Sequence, residues 1–598
     1  MKVMLFAFVA VCATNSFSLG AALAAEREQA AAAREILDTW HADQPEPGDR
    51  YLHLVCWTPG DREFPANYEQ RLTRIMRHIR AFYLREMERF GFAGRTIGLQ
   101  FGEDQQLVLH AVRGVHPTAH YGRESGNEIR RECLPVLEKA GIDADHETIM
   151  IMCNLATWDA EKLEFKHVSP YYAGGSFRSG TAWQLDSPEL DSLHLKLTSP
   201  IIHDGEYGRI SLGKHNSIFI GGIAHELGHA LGLPHCKARP DEAVRGTALM
   251  GSGNRSYGDE IRAEGPGSFL TLAHALRLAS HPQFSGSVKG LTQTAKAEIS
   301  ELSLDVDGKA IQVSGIVSGT PPVYAVVAYF DPDGGGDYNA TTATAVPDSS
   351  GRFTLRSEAL KPDMGGELRL FPLHVNGSAA GQMSRTRFRH SYTVAADGTP
   401  DLSTFQTRQA LKLLVAFLLL DNHSEAKHFV STMKPGKAKA IATQLLDHRA
   451  ASETPAEFRS DDASVSIAKL KAHTSKVGWG QPMFNRVPDA SMLLESGGRL
   501  FETGIYAHAP ARHVYTLGGS WKSFSGQAGL AAGHSGSVQF EVLGDGKSLW
   551  KSGVIREGRT ATFNVSVDGV QQLELLTHPT SDGPAADWAL WLEPTLKR

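Results

Sequence analysis

Residues 225–235 read HELGHALGLPH, with three histidines at offsets zero, four and ten, a glutamate beside the first and a glycine between the last two. Imidazole nitrogens are preferred zinc ligands, and residues four apart on a helix leave it from one side. His225 and His229 can therefore hold one ion at roughly 2.0–2.1 Å. Glu226 would lie beside that ion rather than on it, where a carboxylate can take a proton from water and pass it to a leaving amine. Gly232 falls where the chain must leave the helix. Glycine accepts the left-handed turn needed there, and Pro234 keeps helix from resuming. That exit brings His235 round as a third ligand and leaves a fourth position open. Ile223, Ala224, Leu227 and Leu231 give the helix an apolar face for packing. Such a combination arises by chance on the order of 10⁻³ times per chain. Satisfied core histidines or a closed structural zinc site account for it less well.

The string HExxHxxGxxH resembles the zinc signature of the metzincin metallopeptidases. The resemblance implies a catalytic Zn2+ held by His225, His229 and His235, with Glu226 as general base. It also implies a methionine in a tight turn beneath the metal, and ALMGSG (248–253) offers Met250. In some branches a tyrosine two residues after that methionine binds zinc. Here the position is Ser252, so that ligand is missing, and Cys236 after the third histidine assigns no branch. GGSFRSGTAW (174–183) resembles the metzincin edge strand that binds a peptide through backbone hydrogen bonds. Gly180, Thr181 and Ala182 would lie nearest the metal.

A second resemblance covers residues 465–598. GIYAHAP (504–510), YTLGGSWKSFSGQAGL (515–530), VQFEVLGDGKSLWKSGVI (538–555) and DWALW (587–591) are similar to the NPCBM domains, carbohydrate-binding β-sandwiches related to galactose-binding-like folds. A sugar site needs an aromatic face and a few polar groups. His508, Asp587, Trp588 and Trp591 are the candidates, although PAADWALW lacks the first acid and the histidine of the family's block.

These motifs need a scaffold. At 598 residues the chain divides into roughly three to four domains. A net charge of −6 with 21% charged residues excludes a basic nucleic-acid surface and a disordered acidic tail. Lys2, the apolar residues 3–12 and Ala22-Leu23-Ala24 read as a signal peptide over 1–24, and no later apolar run is long enough to span a bilayer. A secreted, cell-surface or periplasmic location follows. Cys56, Cys133, Cys153 and Cys236 would then allow two disulfides in any of three pairings, or remain buried thiols.

After a polar, alanine-rich lead (25–48), strands are expected at 52–57, 96–101 and 147–155, with helices at 68–90 and 127–141. A glycine-rich edge strand is expected at 171–186, and the histidine helix from near Ser217. The fold class is multidomain. An α/β (α+β) metzincin-like domain (25–290) precedes a β-sandwich (291–395), a helical segment and linker (396–464) and the C-terminal sandwich (465–598). LKLLVAFLLL (411–420) reads as a buried helix and ASETPAEFRSDDA (451–463) as linker. DPDGGGDYN (331–339) has the oxygens for Ca2+ but lacks EF-hand spacing, and reads more simply as a hairpin turn. His203 and His215 read as surface residues rather than neighbours of the metal.

The expectation is a secreted zinc endopeptidase directed to glycans or glycoproteins by its last domain, the middle sandwich serving as a spacer. The rivals are a glycan-binding adhesin with a vestigial peptidase domain, and a zinc hydrolase acting on a non-peptide bond.

Overall fold

A computed structural model describes residues 3–334, 336–379, 388–447, 449–450 and 462–598. Within the expected signal peptide, Met1 and Lys2 lie outside those residues, and the backbone from Val3 belongs to helix α1 (Val3–Ala42). The later turns of α1 are no loose lead. Ala30, Ala33 and Leu37 recur at helical spacing and are buried in the main core. Among the described residues no helix is long and apolar enough to cross a membrane.

The first domain is built from β1 (Leu52–Thr58), α2 (Tyr68–Arg89), β2 (Leu109–Arg113), α3 (Gly126–Lys139) and β3 (Thr148–Cys153). β4 (Ala156–Asp159), β5 (Glu164–His167), β6 (Tyr172–Gly175), β7 (Gly180–Leu185), β8 (Ile201–Asp204), β9 (Gly208–Ser211) and α4 (Leu212–Ala230) follow. The main sheet has the order β2-β1-β3-β7-β6, parallel throughout except that β6 runs antiparallel to β7. Strand alternation separates its two faces. Leu52, Leu54, Cys56, Met150 and Met152 turn towards α2 and α4, whereas Val55, Trp57, Ile149, Ile151 and Cys153 turn towards α3.

Three expectations change here. Residues 96–101 form no strand: Gly98 O accepts the Leu52 N–H and Gln100 O the Val108 N–H, each at 2.9 Å, but Phe101 makes only a lone bridge to Leu107. The stretch 171–186 is a hairpin rather than one edge strand. Cys56, Cys133, Cys153 and Cys236 are buried free thiols, so no disulfide forms among them.

β10 (Thr247–Ala248), β11 (Ser268–Phe269), α5 (Leu272–Ala279) and the short α6 (Pro282–Ser285) complete this domain. The sandwich pairs one sheet of β12 (Lys296–Asp307), β13 (Ala310–Thr320) and β16 (Arg352–Ser357) with another. The second holds β14 (Val323–Pro332), β15 (Thr341–Ala345), β17 (Met364–His374), β18 (Arg389–Val394) and β19 (Pro400–Asp401). It is not a spacer. Val326, Ala328 and Phe330 of β14 face the sandwich core, while Tyr324, Ala325, Val327 and Tyr329 belong to the core of the first domain. Arg277 Nε on α5 donates to Tyr329 Oη at 3.0 Å across the same boundary.

Helices α7 (Ser403–Leu419), α8 (His423–Thr432) and α9 (Lys437–Leu446) share a small core with Leu493 and Leu500. α7 buries only one face, since Leu413 is 50% and Leu419 53% exposed. Most of the expected linker 451–463 lies outside the described residues. The C-terminal domain packs two antiparallel sheets around a core that includes Phe524, Phe540, Phe563 and Trp591.

Candidate metal centre

α4 carries the first part of the site. Ser211 caps it, its hydroxyl oxygen accepting the Lys214 N–H at 3.0 Å, so the helix begins five residues before the expected Ser217. On α2, Tyr83 donates to the Ala224 carbonyl at 2.8 Å. His215 is fully buried, its Nδ1 bonded to Asp204 Oδ2 at 2.9 Å, and is not the surface residue expected. His203 is exposed. The helix ends as its glycines dictate. Gly232 has φ +84, its N–H donates to His229 O, and Leu233 N–H donates to Gly228 O, each at 2.9 Å.

That exit turns His235 back onto the helix. The Nε2 atoms of His225 and His229 are 3.1 Å apart, and those of His229 and His235 2.9 Å. Each Nδ1 meets an oxygen that only accepts: Leu249 O at 2.7 Å, Leu233 O at 2.8 Å and Asp337 Oδ1 at 2.8 Å, for His225, His229 and His235 in turn. The proton of each neutral ring therefore sits on Nδ1, and three Nε2 lone pairs converge on one point. Lone pairs so close repel unless a cation lies among them. Tetrahedral Zn–N bonds of 2.0–2.1 Å would separate such nitrogens by roughly 3.3 Å, so the donor set fits zinc. Burial lowers the pKa of His225 to about 3 and of His229 to about 4, with the neighbouring imidazoles adding, which keeps both rings neutral and able to ligate.

Glu226 is 8% exposed beside this cluster, and burial pushes its carboxyl up to about 8. Met250 is wholly buried beneath the helix. A Cβ on Gly228 would collide with Met250 Sδ, and Cys236 N–H donates to Met250 O at 3.2 Å. Met250 thus lies against the chain on both sides of the exit.

Asp337 and Tyr338 are the residues that sequence reading missed. They belong to the loop after β14, and the Tyr338 ring stacks on His235 with centroids 3.6 Å apart. The sequence of the 331–339 stretch suggests a hairpin turn more simply than a calcium site. Among the described residues its carboxylates form no metal-holding group, and Asp337 instead accepts from His235 Nδ1. His116, His120 and Glu128 form the other described group of that kind, with both histidines exposed.

The substrate-strand expectation moves by one strand. Gly180, Thr181 and Ala182 lie in β7, which is paired on both sides, by β3 and by β6. The sheet edge is β6, Tyr172–Gly175. Gly175 and Gly180 pass so close to the Ala230 carbonyl at the end of α4 that neither has room for a Cβ.

In the C-terminal domain the four sugar-site candidates separate. Trp591 has no exposed surface and packs on Phe540 and Phe563, so it belongs to the core. Asp587 is also buried, accepting the Ser537 N–H at 2.9 Å. Trp588 stacks on His534 at 4.0 Å and 12°, with Trp479 5.1 Å away and His508 near Trp479. Trp479, 53% exposed, went unremarked in the sequence because nothing about its neighbours marks it.

Residues 463–597 match the NPCBM/NEW2 domain model, so the C-terminal sandwich is an NPCBM domain. Comparison with curated proteins finds no match. Among solved structures, wild-type OgpA from Akkermansia muciniphila is similar at 25% identity over 59% of this chain and 95% of that one, with a TM-score of 0.48. A catalytically inactive OgpA in complex with an O-glycopeptide (glycodrosocin) substrate is similar at 24% identity over 59% and 94%, also at 0.48. A CBM51 module from Clostridium perfringens GH95 in complex with methyl-galactose is similar at 23% identity over 22% and 99%, with a TM-score of 0.22.

Proposed function

We propose that the chain is a secreted, zinc-dependent endopeptidase of metzincin type that acts on glycosylated protein. The observation that carries this reading is the convergence of three Nε2 atoms, each ring locked through its Nδ1, beside the buried carboxyl of Glu226. Zinc held there supplies Lewis acidity, which polarises a carbonyl and acidifies water. His225, His229 and His235 would hold the ion, and Met250 supports the helix from below. Glu226 accepts the proton of the attacking water at a carboxylate oxygen and returns it to the departing amine nitrogen. The free edge of β6 can take an extended peptide as an added strand, which favours a peptide bond over other linkages. The NPCBM domain supports a glycan-bearing substrate, with Trp588 and the half-exposed Trp479 as the surface for a sugar, His508 being buried behind them.

The test is Glu226→Gln assayed on O-glycosylated and bare peptides by mass spectrometry. Hydrolysis should fall at least about a thousandfold while one zinc per chain is retained. Turnover that survives the substitution refutes the mechanism.

A further inference from the structure

The loop between β2 and α3 makes a single turn of 3-10 helix at Thr118–His120, with His116 just before it and His120 at its end. The two imidazole rings lie with centroids 4.1 Å apart, and His120 Nε2 meets Glu128 Oε1, in the first turns of α3, at 2.9 Å. Each of the three residues offers one ligand atom, and the three atoms lie within 4.8 Å of one another. Both histidines are exposed and Glu128 is partly so, which leaves the group open to an ion from solvent.

The backbone beneath this group is held firmly. Gly60 N–H donates to His116 O at 2.8 Å, and His116 N–H donates to Tyr121 Oη at 3.0 Å. Asp61 Oδ1 accepts both the N–H and the hydroxyl of Thr118, at 2.7 and 2.8 Å. The buried Tyr121 donates to Glu132 Oε1 at 2.7 Å, and the buried Trp57 donates through Nε1 to Glu132 Oε2 at 2.9 Å. Glu132 is thereby engaged, whereas Glu128, one turn earlier, keeps its carboxylate at His120. None of the bonds that fix the loop uses an imidazole, so both rings stay available as ligands. Two imidazoles and one carboxylate are a donor set that holds zinc in enzymes, whereas calcium and magnesium take oxygen ligands. Small rotations of these exposed side chains give the roughly 3.3 Å spacing of tetrahedral zinc ligands.

We propose that His116, His120 and Glu128 form a second zinc site, separate from the three-histidine centre, in which the ion clasps the loop before α3 to the start of that helix. The same helix start bears on the sheet edge: Gly126 N–H donates to Tyr172 Oη at 3.0 Å, and Tyr172 opens β6. The site does not depend on the peptidase reading.

The experiment counts zinc. Chelator-stripped full-length protein is dialysed to equilibrium against increasing zinc. After the three-histidine centre has taken the first equivalent, a second and weaker one should follow. His116→Ala and His120→Ala should each lose that second equivalent, and Glu128→Gln should weaken it at least about tenfold, roughly 1.4 kcal/mol. The control is His146→Ala, which removes an exposed imidazole paired with Asp143 at 2.8 Å but outside any described group of three donors. It should lose no zinc. Zinc content that is the same with and without His120→Ala, or that falls equally in His146→Ala, overturns the site. Amide hydrogen exchange over residues 116–129 reads the clasp: zinc should slow it in the unsubstituted protein and leave it unchanged in His120→Ala. Unslowed exchange with the second equivalent bound overturns the clasp.

Discussion

Asp337 Oδ1 accepts the Nδ1–H of His235 at 2.8 Å across 102 residues of sequence, so a loop of the second domain sets the orientation of the His235 ring. Such carboxylate–imidazole contacts fix the tautomer and raise ligand basicity, and their loss typically costs tenfold to about a hundredfold in metal affinity. Asp337→Ala should therefore weaken zinc binding by that factor in competition with a chromogenic chelator. The metal-free melting temperature should hardly move, because the Asp337 side chain is 35% exposed. Unchanged zinc affinity would reduce the contact to a surface ion pair.

Gly228 and Met250 make a matched pair beneath the same helix. A methyl group at residue 228 has nowhere to go but into Met250 Sδ, so Gly228→Ala should cost about 1–3 kcal/mol as overpacking. Met250→Ala should cost about 2–5 kcal/mol as a cavity. If the clash is the cause, the added alanine costs much less once Met250 is shortened. A double-mutant cycle by thermal melts reads this directly. Additive losses would mean that Gly228 is needed for another reason.

The histidine helix was legible because its pattern is local: HELGHALGLPH holds two histidines one turn apart, the glutamate, the glycine exit and the third histidine within eleven residues. β1, α2, α3 and β3 were legible for a similar reason, since runs such as TIMIMC and the helical apolar spacing after Tyr68 carry their own periodicity. What failed depends on which partner a segment pairs or packs with, which its own residues do not state. Whether Gly180–Ala182 lies at an edge is decided by β6, and whether Trp591 meets solvent is decided by Phe540 and Phe563. No local signal marks Asp337 as a partner of His235. The N-terminal lead is instructive in another way. Ala30, Ala33 and Leu37 do have helical spacing, but two of the three are alanines, whose small side chains give a weak apolar signal even when buried.

The two tryptophans near the end of the chain should respond oppositely. Trp591→Ala removes a wholly buried ring from the sandwich core and should cost about 3–5 kcal/mol in denaturant unfolding of the NPCBM domain. Trp479→Ala, at a half-exposed position, should leave stability within about 0.5 kcal/mol. It should nevertheless weaken retention on immobilised galactose or mucin-type glycans by about tenfold, if the Trp479–Trp588 face is where a sugar stacks. Full glycan retention by the Trp479 variant would move the NPCBM sugar site elsewhere.

Asp204 links the small sheet to the start of the zinc helix, and its effect should depend on pH in a definite direction. Burial raises its carboxyl pKa, but hydrogen bonds from His215 and from the N–H groups of Tyr207 and Glu206 outweigh this and hold it below the ordinary 3.8. A carboxyl whose folded pKa is depressed stabilises the fold fully above its unfolded value and loses that stabilisation as pH falls through the folded one. Asp204→Asn should therefore lose about 2 kcal/mol at pH 7, the range for a hydrogen bond to a charged group. Against the unsubstituted protein the gap should stay constant from pH 7 to about 5 and narrow below about 4. Urea midpoints collected across that range would test it. A gap that widens towards acid would mean that Asp204 carries its proton in the folded state and that His215 is held by something else.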